Sequence, residues 1–148
     1  MNRRAKRETP IILVVESSVL ARLVLCDYLR ECKYRVFEAS NAVEAIEVLS
    51  GCGFQINVVL SEVGLPGEVD GFSFAQTVRK RWPQTKVLLA GTISRAADLT
   101  ADLCDDGPLL AKPYDKQLVV DRIKRLRSGK HFGADDWNKP MAVRSSGL

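Results

Sequence analysis

Short apolar segments alternate along the chain with longer segments of helical periodicity. Runs typical of strands buried on both faces occur at residues 11–15, 35–39, 56–61, 86–90 and 109–111. Helical patterns follow them at residues 18–32, 41–49, 71–81, 96–104 and 115–127. This alternation predicts an α/β fold, in which a doubly wound parallel sheet is covered by helices on both faces.

Capping signals support the helix assignments. Ser17 or Ser18 can cap the first helix, and Asn41 followed by Glu44 resembles a capping box at the second. Asp115 is placed to cap the last helix, whose apolar side is Leu118, Val119, Ile123 and Leu126. The first helix carries Leu20, Leu23, Val24 and Tyr28 on one face.

Composition indicates one globular domain. The chain has 148 residues, 46% of them hydrophobic, and no apolar run approaches the roughly 18 residues of a membrane span. The sequence therefore predicts a cytoplasmic protein with no membrane insertion. Metal-site spacing is absent among the cysteines, which suggests small buried or half-buried thiols, and the single His131 lies near the C-terminus.

Positive charge is concentrated at the two ends of the chain. Residues 1–10 carry four basic groups and one acid, and residues 115–148 carry eight basic groups and four acids. The ten basic groups and thirteen acids between them leave a mildly acidic body. Basic ends can attract nucleic acid, but solvated tails are the commoner explanation, so nucleic acid is not the expected partner.

Candidate chemistry lies at the ends of the predicted strands, where α/β proteins bind ligands. Glu62 follows the third strand and precedes the turn Leu65-Pro66-Gly67, and Glu16-Ser17 follows the first strand. Lys112-Pro113 follows the fifth. A serine nucleophile would need an adjacent base, and no histidine is near, so hydrolase chemistry is not expected.

In their order and spacing, these landmarks resemble response-regulator receiver domains over residues 10–127. The resemblance implies a flavodoxin-like sheet with strand order 2-1-3-4-5. It leaves residues 1–9 as a basic extension and 128–148 as a flexible tail. Glu62 stands at the position of the aspartate that this family phosphorylates.

The resemblance also implies roles for other residues. Lys112 matches the family's lysine, and Pro113 follows it, commonly through a cis bond. Two acids normally hold Mg²⁺ where this chain has Glu16 and Ser17, so a magnesium site at Glu16, Ser17 and Glu62 would be weak or lost.

The family's two switch positions are also altered. The position of its switch hydroxyl aligns with Gly91, which leaves Thr92 one residue late. The position of its switch aromatic is Leu109. With neither group in place, a relay from hydroxyl to aromatic ring is not expected.

Glutamate is one methylene longer than aspartate, and a misplacement of about 1 Å can slow a reaction roughly 100-fold. We therefore expect an atypical, stand-alone receiver that is not an enzyme and acts by protein contact, with Glu62 paired to Lys112. Its partners would be a histidine kinase, a phosphotransferase or an effector, and a homodimer is compatible with the family. The alternatives are a working phosphoacceptor with unusual chemistry and, third, a nucleic-acid-binding module using the basic ends.

Overall fold

A computed structural model describes residues 9–91 and 109–128. Five strands form one parallel sheet in the order β2-β1-β3-β4-β5. The strands are β1 (Ile11–Val15), β2 (Arg35–Ala39), β3 (Val58–Glu62), β4 (Lys86–Gly91) and β5 (Leu110–Ala111). The predicted sheet and its strand order are confirmed.

Four helices lie in the described part of the chain. They are α1 (Val19–Glu31), α2 (Ala42–Gly51), α3 (Gly71–Arg81) and α4 (Lys116–Ser128). The helix predicted at 96–104 lies outside the described residues, as do Thr92, Cys104 and His131.

The predicted caps are present at the helix starts. Ser18 caps α1 by accepting a hydrogen bond from the Ala21 amide, and Asn41 caps α2 by accepting one from Glu44. Asp115 accepts from the Leu118 amide at the start of α4. These side chains satisfy amides that the first turn leaves without partners.

The core has one layer on each face of the sheet. Leu13 and Val15 of β1 face a layer shared with α2 and α3. Ile12 and Val14 face the opposite layer, which contains buried residues of α1 and α4. Successive residues of a strand point to opposite faces, so the continuous apolar runs of β1 and β3 are what two covered faces require.

Three details differ from the sequence prediction. β3 begins at Val58 rather than Ile56, because the side chain of Asn57 accepts the amide hydrogen of Ile11. The apolar face predicted on α1 points outward: Leu20 is 76% exposed, and the buried side is Leu25, Cys26 and Leu29.

The third difference concerns α4. Arg122 is buried, although a charged side chain on a helix is usually exposed. Lys116 and Lys124 of the same helix are exposed.

Of the cysteines in the described ranges, Cys26 is fully buried, and Cys32 and Cys52 are half-buried free thiols. Burial raises the pKa of the Cys26 thiol to about 12, which keeps it protonated. No helix within residues 9–91 and 109–128 is long and apolar enough to cross a membrane.

Candidate functional site

Strand order brings three separate segments to one edge of the sheet. Glu16 directly follows β1, Glu62 ends β3, and Lys112 directly follows β5. Backbone hydrogen bonds fix two of them, from the Glu16 amide to the Ala39 carbonyl (2.9 Å) and from the Lys112 amide to the Gly91 carbonyl (3.0 Å). The carboxyl ends of parallel strands therefore gather two acids and one base.

The Lys112 ammonium bridges both carboxylates. Its Nζ lies 2.5 Å from Oε1 of Glu16 and 2.9 Å from Oε2 of Glu62. Glu16 is fully buried, and the Lys112 side chain is 21% exposed. The ion pair between Glu62 and Lys112 expected from the sequence is confirmed, and Glu16 adds a second acid to it.

Backbone amides bind the other two carboxylate oxygens. The Ser17 amide donates to Oε1 of Glu62 (2.7 Å), and the Ser18 amide donates to Oε2 of Glu16 (3.0 Å). All four carboxylate oxygens thus accept at least one hydrogen bond or ion pair. Ser17 contributes to the site through its main-chain amide, whereas the sequence predicts a weak or lost metal site that includes Ser17.

The pKa shifts agree with this network. Burial alone would raise the pKa of Glu62, but hydrogen bonds from Ser17 and Lys112 outweigh it, so the pKa lies below its usual value. Burial alone would lower the pKa of Lys112, but the two carboxylates hold it above its usual value. Both groups are therefore charged at neutral pH.

Sequence reasoning missed two side chains that hold Glu16. The Tyr114 hydroxyl donates to Oε1 of Glu16 (3.0 Å), and burial together with the Glu16 charge raises the pKa of that phenol. Arg22 donates to the Glu16 backbone carbonyl (2.6 Å) and pairs with Glu38 at 3.2 Å. Tyr114 could have been found from its position two residues after Lys112. The sequence pattern contains no signal that Arg22 would bind the Glu16 carbonyl.

Gly71 is the first residue of the predicted third helix, and it packs directly against the end of β3, where Glu62 lies. A Cβ atom at Gly71 would lie 2.2 Å from the Glu62 carbonyl oxygen and 2.7 Å from Cα of Val63. The Gly71 amide donates to the Val63 carbonyl at 2.8 Å. Only glycine allows α3 to begin this close to the end of β3.

Gly91 and Leu109, which the sequence predicts to stand at the family's two switch positions, lie side by side. Gly91 is buried at the end of β4, and a Cβ atom placed there would be 3.7 Å from Cδ1 of Leu109 and 3.5 Å from Cγ2 of Val63. Those are ordinary van der Waals distances. The position therefore has room for a small side chain even though this chain has none.

Magnesium does not fit these residues as they are arranged. Mg²⁺ needs nearly octahedral oxygen ligands, but Lys112 already lies between the two carboxylates and the remaining oxygens bind amides. Within residues 9–91 and 109–128, no group of three or more histidine, cysteine, aspartate or glutamate side chains could hold a metal ion. Peptide bond 112–113 is cis, as expected for a lysine and proline at this position.

A five-stranded parallel sheet with this order, and with acids and a lysine at its carboxyl edge, defines a receiver-type signalling domain. The chain belongs to the response regulator receiver domain family, which matches residues 12–124. Members of this family are signalling modules of two-component systems that interact with histidine kinases and effectors.

Individual relatives agree with this assignment. The chain is 30% identical over 142 residues to the transcriptional regulatory protein AruR of Pseudomonas aeruginosa, covering 93% of this chain and 58% of AruR. It is 28% identical over 118 residues to the sensor kinase CckA of Brucella abortus, covering 78% of this chain and 12% of CckA. It thus spans less than two thirds of either relative.

A solved structure shows the same fold. The response regulator TrrA from Thermotoga maritima, in complex with Mg²⁺-BeF, superposes with a TM-score of 0.68 and 25% identity. The match covers 80% of this chain and 99% of TrrA.

Proposed function

We propose that this chain is an atypical receiver that signals through protein–protein contact with little or no phosphorylation, its site held in one state by Lys112. Residues 10–127 form the receiver unit in this proposal, and residues 1–9 and 128–148 are extensions. From the family we also propose a cytoplasmic location.

The observation that supports this proposal is the placement of Lys112 between Glu16 and Glu62, at 2.5 and 2.9 Å. Phosphoryl transfer to a carboxylate requires a free nucleophile and a metal ion that neutralises the phosphoryl oxygens. Here one carboxylate oxygen of Glu62 is bound by an amide and the other by the ammonium. Neither oxygen of Glu62 is therefore free, and the positive charge between the two carboxylates is that of a lysine.

Altered positions around the pair support the same proposal. Ser17 stands where the family has a second acid, and Gly91 stands where it has a hydroxyl. Leu109 stands in place of the aromatic ring. The parts that would bind and report a phosphoryl group are therefore changed together, while the core that carries the fold is retained.

Backbone NMR with and without Mg²⁺ and beryllofluoride tests the proposal. TrrA is the matched positive control, because its structure contains Mg²⁺-BeF. We expect spectra of this chain that do not change at millimolar Mg²⁺ and beryllofluoride, while TrrA shows saturable shifts. Saturable shifts around Glu62 and Lys112 would favour the alternative, a working phosphoacceptor with unusual chemistry.

Partner binding is the second half of the proposal. The partners are a histidine kinase, a phosphotransferase or an effector, and a second copy of the chain is a further candidate. Capture of such a partner should be the same with and without a phosphodonor. Capture that requires acetyl phosphate would contradict constitutive signalling.

A further inference from the structure

A pocket lies at the amino-terminal end of the sheet, at the opposite edge from the site formed by Glu16, Glu62 and Lys112. Its volume is about 840 Å³, which is within the roughly 300–1,000 Å³ range of small-molecule sites. Its lining residues come mainly from both ends of the described chain and from the turns between α1 and β2 and between α2 and β3. It is remote in the fold from the groups that define the receiver site.

The described residues that line this pocket carry only positive charge. Lys33, Lys124 and Arg127 line it, and no acidic residue within 9–91 and 109–128 does. None of the three forms an ion pair with another described residue. Like charges gathered around one cavity repel each other, and a bound anion would relieve that repulsion.

Lys33 occupies a backbone position that usually belongs to glycine. Its φ is 73°, and it follows the end of α1. The amide of Lys33 donates to the Arg30 carbonyl, and the amide of Tyr34 donates to the Leu29 carbonyl. This is the Schellman arrangement, in which the left-handed residue is most often glycine. A lysine here costs backbone energy that glycine would avoid, and such outliers cluster at functional sites.

The remaining walls suit a planar group. Phe54 is 49% exposed in the pocket, and the guanidinium of Arg35 lies 4.2 Å from its ring centroid. The side-chain carbonyl of Gln55 accepts no hydrogen bond from the described residues, and the side-chain NH₂ of Asn57 donates none. Both residues line the pocket and offer one acceptor and one donor to the edge of a base.

We propose that this pocket binds a free nucleotide, with its phosphates on Lys33, Lys124 and Arg127 and its base against Phe54. A single exposed ring beside one half-open pocket of this size fits one nucleotide. Binding along a nucleic-acid strand would instead use successive aromatic platforms in a groove.

Isothermal titration of the full chain with ADP and with pyrophosphate, at low and at physiological salt, tests the proposal. We expect saturable ADP binding that Lys124→Gln and Arg127→Gln each weaken about threefold to tenfold. Lys80→Gln removes an exposed lysine from α3 outside this pocket and should leave binding unchanged. Phe54→Leu should weaken binding of ADP and leave binding of pyrophosphate as it is.

Lys33→Gly separates ligand binding from folding. Glycine relieves the left-handed backbone, so the variant should be at least as stable as the parent in urea, yet bind ADP about threefold to tenfold more weakly. Absence of saturable ADP binding, or equal binding by the parent, Lys124→Gln and Lys33→Gly, would overturn the proposal. Tighter binding of a single-stranded oligonucleotide with a steep salt dependence would also overturn it, in favour of a nucleic-acid surface.

Discussion

Lys112 carries the one positive charge among the three ionisable groups at the centre of the site. Its removal would leave two carboxylates, one fully buried and one with a 9% exposed side chain, without a cation between them. Breaking a buried pair by removing one partner is costly, since the desolvated charge that remains has lost its compensation.

Lys112→Met should therefore destabilise the protein by about 2–4 kcal/mol at pH 7, measured by urea unfolding. The matched control is Lys80→Met, which removes an exposed lysine of α3 and should change the free energy of unfolding by less than about 0.5 kcal/mol. Equal effects of the two substitutions would show that the bridge contributes nothing to stability.

The pH dependence of the same pair has a definite sign. Because the pKa of Glu62 is lowered on folding, its stabilisation is present above its unfolded value of about 4.3 and is lost as the pH falls through the folded pKa. Because the pKa of Lys112 is raised, its stabilisation is present below about 10.4 and is lost as the pH rises through the folded pKa.

The stability difference between the parent and Lys112→Met should therefore be widest between about pH 5 and pH 10 and should shrink below about pH 4. Urea unfolding at pH 7 and at pH 3.5 measures it. A difference that is unchanged at pH 3.5 would mean that the substitution acts through packing rather than through charge.

Tyr114 donates a hydrogen bond to Oε1 of Glu16, whereas the Ser18 backbone amide binds Oε2. Tyr114→Phe keeps the ring and removes the hydroxyl that donates to Glu16, so we expect a loss of about 1–2 kcal/mol for a hydrogen bond to a buried charged group. Tyr28→Phe is the control, because its hydroxyl donates to Gln117 at an exposed position. Equal losses in both variants would contradict an anchoring role.

At the scale of elements, sequence periodicity predicts which segments become strands and helices better than it predicts their outward faces. The observed bounds of β1 (11–15) and β2 (35–39) equal the predicted bounds, because apolar runs and the residues that break them are local signals. The buried face of α1 was not predictable, since Leu20, Leu23 and Val24 are apolar yet exposed. Likewise, buried Arg122 on α4 depends on tertiary packing that charge alone does not reveal.

The junction between β3 and α3 depends on Gly71. Gly71→Ala would place a methyl group 2.2 Å from the Glu62 carbonyl oxygen, so either the helix or the strand end must shift. We expect destabilisation of about 1–3 kcal/mol or more in urea unfolding, with NMR shifts at Glu62 and Lys112.

Gly51→Ala is the matched control for this substitution. Gly51 ends α2, and a Cβ atom there meets nothing within 4 Å, so the substitution should be neutral or stabilising by up to about 1 kcal/mol. If Gly71→Ala were as stable as Gly51→Ala, the junction between β3 and α3 would accommodate the methyl group without loss of unfolding free energy.

For the whole molecule, the receiver fold is separable from the chemistry of its site, because the sheet and both core layers depend on apolar positions that Glu16, Ser17 and Glu62 do not occupy. The family resemblance predicted that the ends of β1, β3 and β5 meet. It did not predict that one lysine would bind two acids at once, because strand order does not specify side-chain directions.

Introducing the family's residue types into this fold should therefore allow the site to bind Mg²⁺ and beryllofluoride. Ser17→Asp adds a second acid beside Glu16, and Glu62→Asp withdraws the carboxylate from Lys112 by one methylene. Gly91→Ser adds a hydroxyl where there is room for a Cβ atom.

The triple variant should show Mg²⁺-dependent beryllofluoride shifts that the parent lacks. Glu62→Asp alone, with only one acid beside it, should show much weaker shifts or none. If the triple variant is folded but shows no beryllofluoride-dependent NMR shifts while TrrA shows them, residues outside these three positions prevent binding.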